Sequence, residues 1–163
     1  MTPAGSAGSA VSPAEIARGI VDASLYMVLA TADAEGRPWS SPVYFAHLEC
    51  REFLWVSSPQ AAHSRNIALR PRVGIAVFDS SAAIGTGQGV YMSALAEPVA
   101  GPPDIERAME VFCHRSLLHG GRAWTPDDVN PSSGLTLYRA VADGHWILAK
   151  DGGPDHRIPV DLI

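Results

Sequence analysis

The run Arg37-Pro38-Trp39-Ser40-Ser41-Pro42-Val43-Tyr44-Phe45-Ala46 reads as a β-strand, yet it holds prolines at 38 and 42. Proline has no N–H to give to a sheet ladder, so an interior strand does not carry two of them. The run must therefore be an edge, be bulged, or lie open to something other than a neighbouring strand. Trp39, Ser41, Val43 and Phe45 share one face; Pro38, Ser40, Pro42 and Tyr44 share the other. A ligand lying along the strand and a plain sheet edge account for the prolines equally well.

The rest of the chain is arranged around that strand. Ser12-Pro13-Ala14-Glu15 is a capping box with proline at the first helical position, and it predicts a helix from Pro13 to about Ser24. Leu25–Ala32 is nearly all apolar and precedes the turn signal Asp33-Ala34-Glu35-Gly36, which favours a buried strand. His47–Arg51 is expected as a turn, Phe53–Ser57 as a strand, and Pro59–Leu69 as a helix with Ser58 as its N-cap. Further strands are expected at Arg72–Ser80 and Val90–Ala100, with a small-residue loop between them. A helix starts at Pro103 and ends near Gly120-Gly121, and Thr125-Pro126-Asp127-Asp128 starts a single turn. Leu135–Val141 and His145–Lys150 are expected as two strands of a hairpin turning at Asp143-Gly144. The result is about seven strands, the first four in a meander, with helices at three places. That is no βαβα rhythm, so the expected fold is mainly β, an antiparallel barrel with helices on its ends and flanks.

A chain of 163 residues suits one domain, taken as 12–163 after a Gly/Ala/Ser-rich flexible tail over 1–11. The tail lacks the basic start and apolar core of a signal peptide. A formal net charge of −5 argues against nucleic acid or an anionic membrane as the main partner. No apolar run is long enough to span a bilayer. Cys50 and Cys113 stand in unrelated contexts without metal spacing, so reduced thiols and a cytoplasmic location are expected.

Gly85-Thr86-Gly87-Gln88-Gly89 has the look of a nucleotide loop but leads into a strand rather than a helix, and no Lys follows the glycines. It reads as a β-loop, with Gln88 a possible polar contact at the strand mouth. His114 and His119 are five apart, poorly placed for one helical face, and no metal site is expected. No nucleophile elbow is present. The stretch Ser57-Ser58-Pro59-Gln60-Ala61-Ala62-His63-Ser64-Arg65-Asn66-Ile67 differs, because it gathers hydroxyls, an imidazole, a guanidinium and an amide at a helix start. Such a set suits an anion. A solvated helix face is the alternative on spacing alone.

Three motifs occur in order: Gly36–Phe45, Trp55-Val56-Ser57-Ser58, and His63-Ser64-Arg65-Asn66-Ile67 followed by Arg70-Pro71-Arg72-Val73. With the tail Leu137-Tyr138-Arg139-Ala140, His145-Trp146-Ile147-Leu148 and Asp155–Val160, the chain resembles the pyridoxamine 5′-phosphate oxidase-like, FMN-binding split-barrel superfamily. The resemblance implies a homodimer with each FMN at the subunit interface. It implies that Trp39, Ser40, Ser41 and Pro42 face the isoalloxazine ring, and that Ser57, Ser58, His63, Arg65 and Asn66 hold the phosphate. Gln88 and Trp146 are further candidates for the cofactor site. His63 stands where many members carry Lys, which leaves Arg65 as the main permanent cation. The basic set of a true pyridoxamine phosphate oxidase is missing. The expected activity is therefore an FMN-dependent oxidation or reduction of an unidentified small molecule, with no catalytic side chain assigned. The alternatives are a reductase of the same fold using a deazaflavin coenzyme, with Arg70 and Arg72 lining its groove, and a flavin-binding or sensing module without turnover.

Overall fold

Phe45 is the corner on which the architecture turns. The computed structural model describes residues 11–163. In chain order it contains α1 (Pro13–Ala23), β1 (Tyr26–Ala32), β2 (Pro38–Tyr44), β3 (Ala46–Leu48), β4 (Glu52–Ser57), α2 (Ala62–Leu69), β5 (Arg72–Phe78) and β6 (Gly89–Pro98). These are followed by α3 (Pro102–Leu118), a 3₁₀ turn at Pro126–Val129, β7 (Thr136–Leu148) and β8 (Arg157–Pro159). All strand pairs are antiparallel, in the order β2-β1-β5-β6-β7-β4-β3, with β8 added on β7. The two ends of that path, β2 and β3, are joined through Phe45 alone. A one-residue link between opposite edges is possible only if the sheet curls round on itself. The fold is thus mainly β with flanking helices, an antiparallel split β-barrel. The tail expected over 1–11 lies, but for Val11, outside the described residues.

Alternation supplies the barrel interior. Met27 and Leu29 of β1, Val43 of β2, Phe53 and Trp55 of β4, and Val73, Ile75 and Val77 of β5 meet in one buried cluster with Phe45, Val90 and Met92. Ala17 and Val21 of α1 and Leu162 near the C-terminus join it. Leu54 points the other way and, with Ala46 and Leu137, packs beneath Ala108, Met109 and Phe112 of α3. Burial on both faces explains why β4 is apolar almost throughout.

The helix starts read from capping boxes are present. Ser12 Oγ accepts from the Glu15 N–H at 3.2 Å and Glu15 Oε2 accepts from the Ser12 N–H at 2.7 Å. Thr125 N–H donates to Asp128 Oδ2 at 2.8 Å. The edge reading of the two-proline strand also holds, because β2 ends the sheet path.

Four local expectations are corrected. Leu135–Lys150 is no hairpin: Thr136–Leu148 is one strand, and Asp143 is its bulge, since Ser93 faces Gly144 while Ala94 faces Ala142. The Asp143 carboxylate accepts from Ser93 Oγ and pairs with Arg72, so side-chain bonds to the adjacent β6 and to β5 beyond it hold the Asp-Gly pair in line. A Cβ on Gly144 would stand 2.3 Å from Trp146 Cη2, so the glycine makes room for the indole rather than for a turn. The first four strands are no meander either, because β4 pairs with β7 and β5 with β1. The turn expected over His47–Arg51 is tighter: Ala46–Leu48 is a strand, and Glu49 and Cys50 turn at φ 52° and 56°. Leu48 pairs with Glu52 across three loop residues, and the Arg51 N–H closes the turn on the Leu48 carbonyl at 2.9 Å. Left-handed φ at two successive positions is normally supplied by Asn and Gly, so composition did not reveal it. Finally, the second helix begins at Ala62 with no side-chain cap. Ser58 instead opens a β-turn, its Oγ accepting from Gln60 N–H at 3.1 Å and its carbonyl from Ala61 N–H at 3.0 Å. Ser-Pro starts turns as readily as helices.

Candidate functional site

Strand β2 offers one edge to β1 and leaves the other unpaired among the described residues. Phe45 N–H donates to the Leu25 carbonyl at 3.3 Å, in the register that pairs Tyr44 with Tyr26. Antiparallel ladders alternate, so Val43, Ser41 and Trp39 bond towards β1, while Pro38, Ser40 and Pro42 turn their backbone outwards. The prolines therefore cost no ladder bond. They strip the outer edge of two donors and leave the Ser40 N–H flanked by outward carbonyls.

Helix α2 lies against β1 and β2 and is tied to them by buried polar contacts. His63 Nδ1 lies 3.1 Å from Ser41 Oγ and His63 Nε2 lies 2.9 Å from Ser57 Oγ. Trp39 Nε1 donates to the same Ser41 Oγ at 3.1 Å. Asn66 Nδ2 donates to Thr31 Oγ1 at 2.9 Å, and Thr31 Oγ1 donates to the Trp39 carbonyl at 3.3 Å. Thr31, Ser41, His63, Ser64 and Asn66 are all buried. The Ser64 hydroxyl is buried without a partner among the described residues.

The exposed half of the cluster faces a groove of about 490 Å³, lined by Trp39, Arg65 and Asn66 together with Arg37, Pro38 and Leu69. Trp39 is 54% exposed. Arg65 projects from α2, held by one N–H to the Gln60 carbonyl. Asp33 and Glu35, also on the rim, are paired with Arg37 at 2.7 and 3.0 Å. Arg70 donates to the Asp33 and Ala34 carbonyls, both at 2.8 Å, and so pins the β1–β2 turn to the end of α2.

The structure thus brings together Trp39, Ser41, Ser57, His63, Arg65 and Asn66, with Ser40, Pro42 and Ser58 on the adjoining edge and turn. It does not bring Gln88 and Trp146 to them. Gln88 bonds both ways with Leu148 at the far end of β7 from the Thr136–Ser57 pair, and Trp146 sits opposite Tyr91 and Pro159. Thr31 was missed from sequence. Its signal was a lone hydroxyl at the inward position that follows Met27 and Leu29 in the alternation.

Burial pushes the His63 imidazole below its ordinary pKa. Burial does the same to His47, helped by Arg115 and partly opposed by Asp22. Folded-state values below the unfolded one mean that the stabilisation is complete above about pH 6.5 and is lost as pH falls through the folded values. Stability should fall from pH 6.5 towards 5 by up to about 1.4 kcal/mol per pH unit for each histidine. The contacts with Arg37 hold the Asp33 carboxyl on the rim below its ordinary value, outside this window. Urea midpoints at pH 7.5, 6 and 5 measure it, and His63→Gln should flatten the decline; an unchanged slope would refute the assignment.

Among the described residues no group of His, Cys, Asp or Glu is set to hold a metal, and no helix is long and apolar enough to cross a membrane. Cys50 and Cys113 are both free.

Comparison with solved structures gives the same fold at low identity. A heme-binding protein from Mycobacterium smegmatis superposes with TM-score 0.70 at 23% identity; the match covers 91% of this chain and 58% of that one, a little over half its length. HutZ, the heme storage protein from Vibrio cholerae, gives TM-score 0.65 at 20% identity, covering 83% and 92%. An F420 reductase gives TM-score 0.59 at 17% identity, covering 79% and 94%. These likenesses speak to fold alone. No curated protein matches the sequence. The family model described as pyridoxamine 5′-phosphate oxidase matches residues 14–128, which spans α1, the barrel strands to β6, α2, α3 and the whole β2–α2 cluster. The chain belongs to the pyridoxamine 5′-phosphate oxidase family.

Proposed function

We propose that this protein binds FMN along β2 and α2 and acts as a flavin-dependent oxidoreductase on a small molecule, as a cytoplasmic homodimer. One observation carries the reading. The outer edge of β2 is closed to strand pairing by Pro38 and Pro42, yet offers the Ser40 N–H and outward carbonyls next to a groove holding Arg65. An isoalloxazine edge carries one N–H donor between carbonyl acceptors. Shifted by one group against the strand, a ring carbonyl accepts from the Ser40 N–H while the ring N–H donates to a neighbouring outward carbonyl, and a guanidinium suits a phosphate. In this reading Ser40 and Pro42 meet the ring edge through backbone groups, Trp39 walls the groove, and Ser57, Ser58 and Arg65 hold the phosphate. His63, with both ring nitrogens on serines, and the Asn66 amide nitrogen, which donates to Thr31, contribute from beneath. Gln88 and Trp146 join a flavin site only if a second copy brings them, which an interface cofactor would require.

A bound flavin supplies hydride or electron transfer. The chain's own residues orient the ring, anchor the phosphate and exclude water; none is assigned a proton-transfer role. The deazaflavin alternative is weakened because Arg70 and Arg72 are both committed, to the turn carbonyls and to Asp143. Haem, which two of the structural relatives handle, needs a free axial ligand, and the cluster's single imidazole has both nitrogens bonded.

The test is FMN titration. Flavin fluorescence should quench and the thermal midpoint should rise; absence of both sinks the reading. Tighter binding of the deazaflavin coenzyme would transfer the site to it. NAD(P)H oxidation by the loaded protein above that of free FMN separates an enzyme from a binding module.

A further inference from the structure

The Trp39–Ser41–His63–Ser57 chain of contacts has a direction. An indole N–H only donates, so Ser41 Oγ is an acceptor towards Trp39. Ser41 is buried, and His63 Nδ1 is its other side-chain partner among the described residues. If Nδ1 carried a proton, Ser41 would accept twice and its own hydroxyl hydrogen would be buried with nowhere to go. An unpaired buried hydroxyl costs about 1–3 kcal/mol. The alternative satisfies every group: Ser41 O–H donates to Nδ1, and the proton sits on Nε2. His63 Nε2–H then donates to Ser57 Oγ, 2.9 Å away. Ser57 accepts, so its hydroxyl hydrogen is unspent. Ser57 is only half-buried, at the end of β4 where the chain turns towards Ser58 and α2.

We propose that the Trp39 indole N–H, acting through Ser41, fixes His63 as the Nε2–H tautomer and so leaves the Ser57 hydroxyl as a donor for an anionic oxygen. Trp39 and His63 are positioning residues in this scheme, and Ser57 is the ligand. The identification of that oxygen with the FMN phosphate rests on the reading above; the tautomer does not.

Long-range ¹H–¹⁵N NMR of the ligand-free protein near pH 8 tests the first half, with His63 identified by its loss in His63→Gln. The wild type should show Nδ1 unprotonated, and Trp39→Phe, which keeps a ring but removes the donor, should shift population towards the Nδ1–H form. A wild-type Nδ1–H tautomer, or a tautomer indifferent to Trp39→Phe, overturns the proposal. For the second half, Ser57→Ala should weaken FMN about three- to tenfold and riboflavin hardly at all. Adding Trp39→Phe to Ser57→Ala should cost no further phosphate discrimination, because both act through one hydroxyl. Additive losses overturn the coupling. Failure of the wild type to bind FMN removes the flavin reading and the phosphate role of Ser57 with it, while the NMR result still decides the relay.

Discussion

Arg115→Met should cost about 2–3 kcal/mol of folding stability, although the residue pairs with no carboxylate among the described residues and lies away from the groove. Arg115 sits in the last turn of α3 and reaches across to the end of α1. Its Nη2 donates to the carbonyls of Val21, Asp22 and Ser24 at 3.1, 3.2 and 2.9 Å. Helix α1 has no basic residue of its own in its last turn, so a guanidinium from another helix satisfies the carbonyls that every helix leaves unpaired. The same group lies 5.1 Å from the centroid of the Phe45 ring, the residue that joins the two sheet edges. Burial lowers its pKa, with Tyr44, Asp22 and Cys50 acting in opposition. Met keeps the stem and its packing but removes the charge and the donors. Lys should recover part of the loss, since an ammonium supplies charge without the fork. Urea unfolding measures all three proteins, and a loss under about 0.5 kcal/mol for Met would mean that water caps α1 equally well.

Arg115 also marks where sequence reading stopped. The capping box at Ser12 is local: four consecutive residues state the helix start and the structure obeys them. The C-terminal cap of α1 comes from a residue 91 to 94 positions away, and nothing near Ser24 announces it. The strands divide the same way. Alternation in β5 and the prolines of β2 were legible, because each is a property of one segment. Pairing was not. That β4 leaves β5 for β7 depends on the curl around Phe45, which burial of both barrel faces decides. The Asp143-Gly144 error has a definite cause: a hairpin signal was overridden by bonds from Ser93 and Arg72 on two other strands.

The site followed suit. The resemblance implies one neighbourhood for Trp39, Ser41, His63 and Arg65, and the structure sets the first three in contact with Arg65 beside Trp39 on the groove, but spacing does not state their division of labour. His63, taken from sequence as a phosphate contact, has both ring nitrogens occupied by serines. Asn66 points inward to Thr31. Spacing along a helix tells which residues share a face and cannot tell whether that face meets solvent or a neighbouring strand.

That division raises the weight on Arg65. It is exposed, it lines the groove with Trp39, and it pairs with no carboxylate among the described residues. The competing cation on the rim, Arg37, is already bonded to Asp33 and Glu35. Arg65→Ala should therefore weaken FMN by about 10- to 100-fold, the range of a hydrogen bond to a charged group. Riboflavin, which presents the same ring without the phosphate, should lose less than about threefold. Arg65→Lys should fall between, keeping a point charge but not the planar fork. The FMN affinity of the wild type should also decline with added salt, and that decline should be shallower in Arg65→Ala, because the screened pair is gone. Fluorescence quenching titrations of both flavins at two salt concentrations give every quantity needed. Equal losses for FMN and riboflavin would take Arg65 off the phosphate, and the anion would then have to be sought at the serines of the β4–α2 turn.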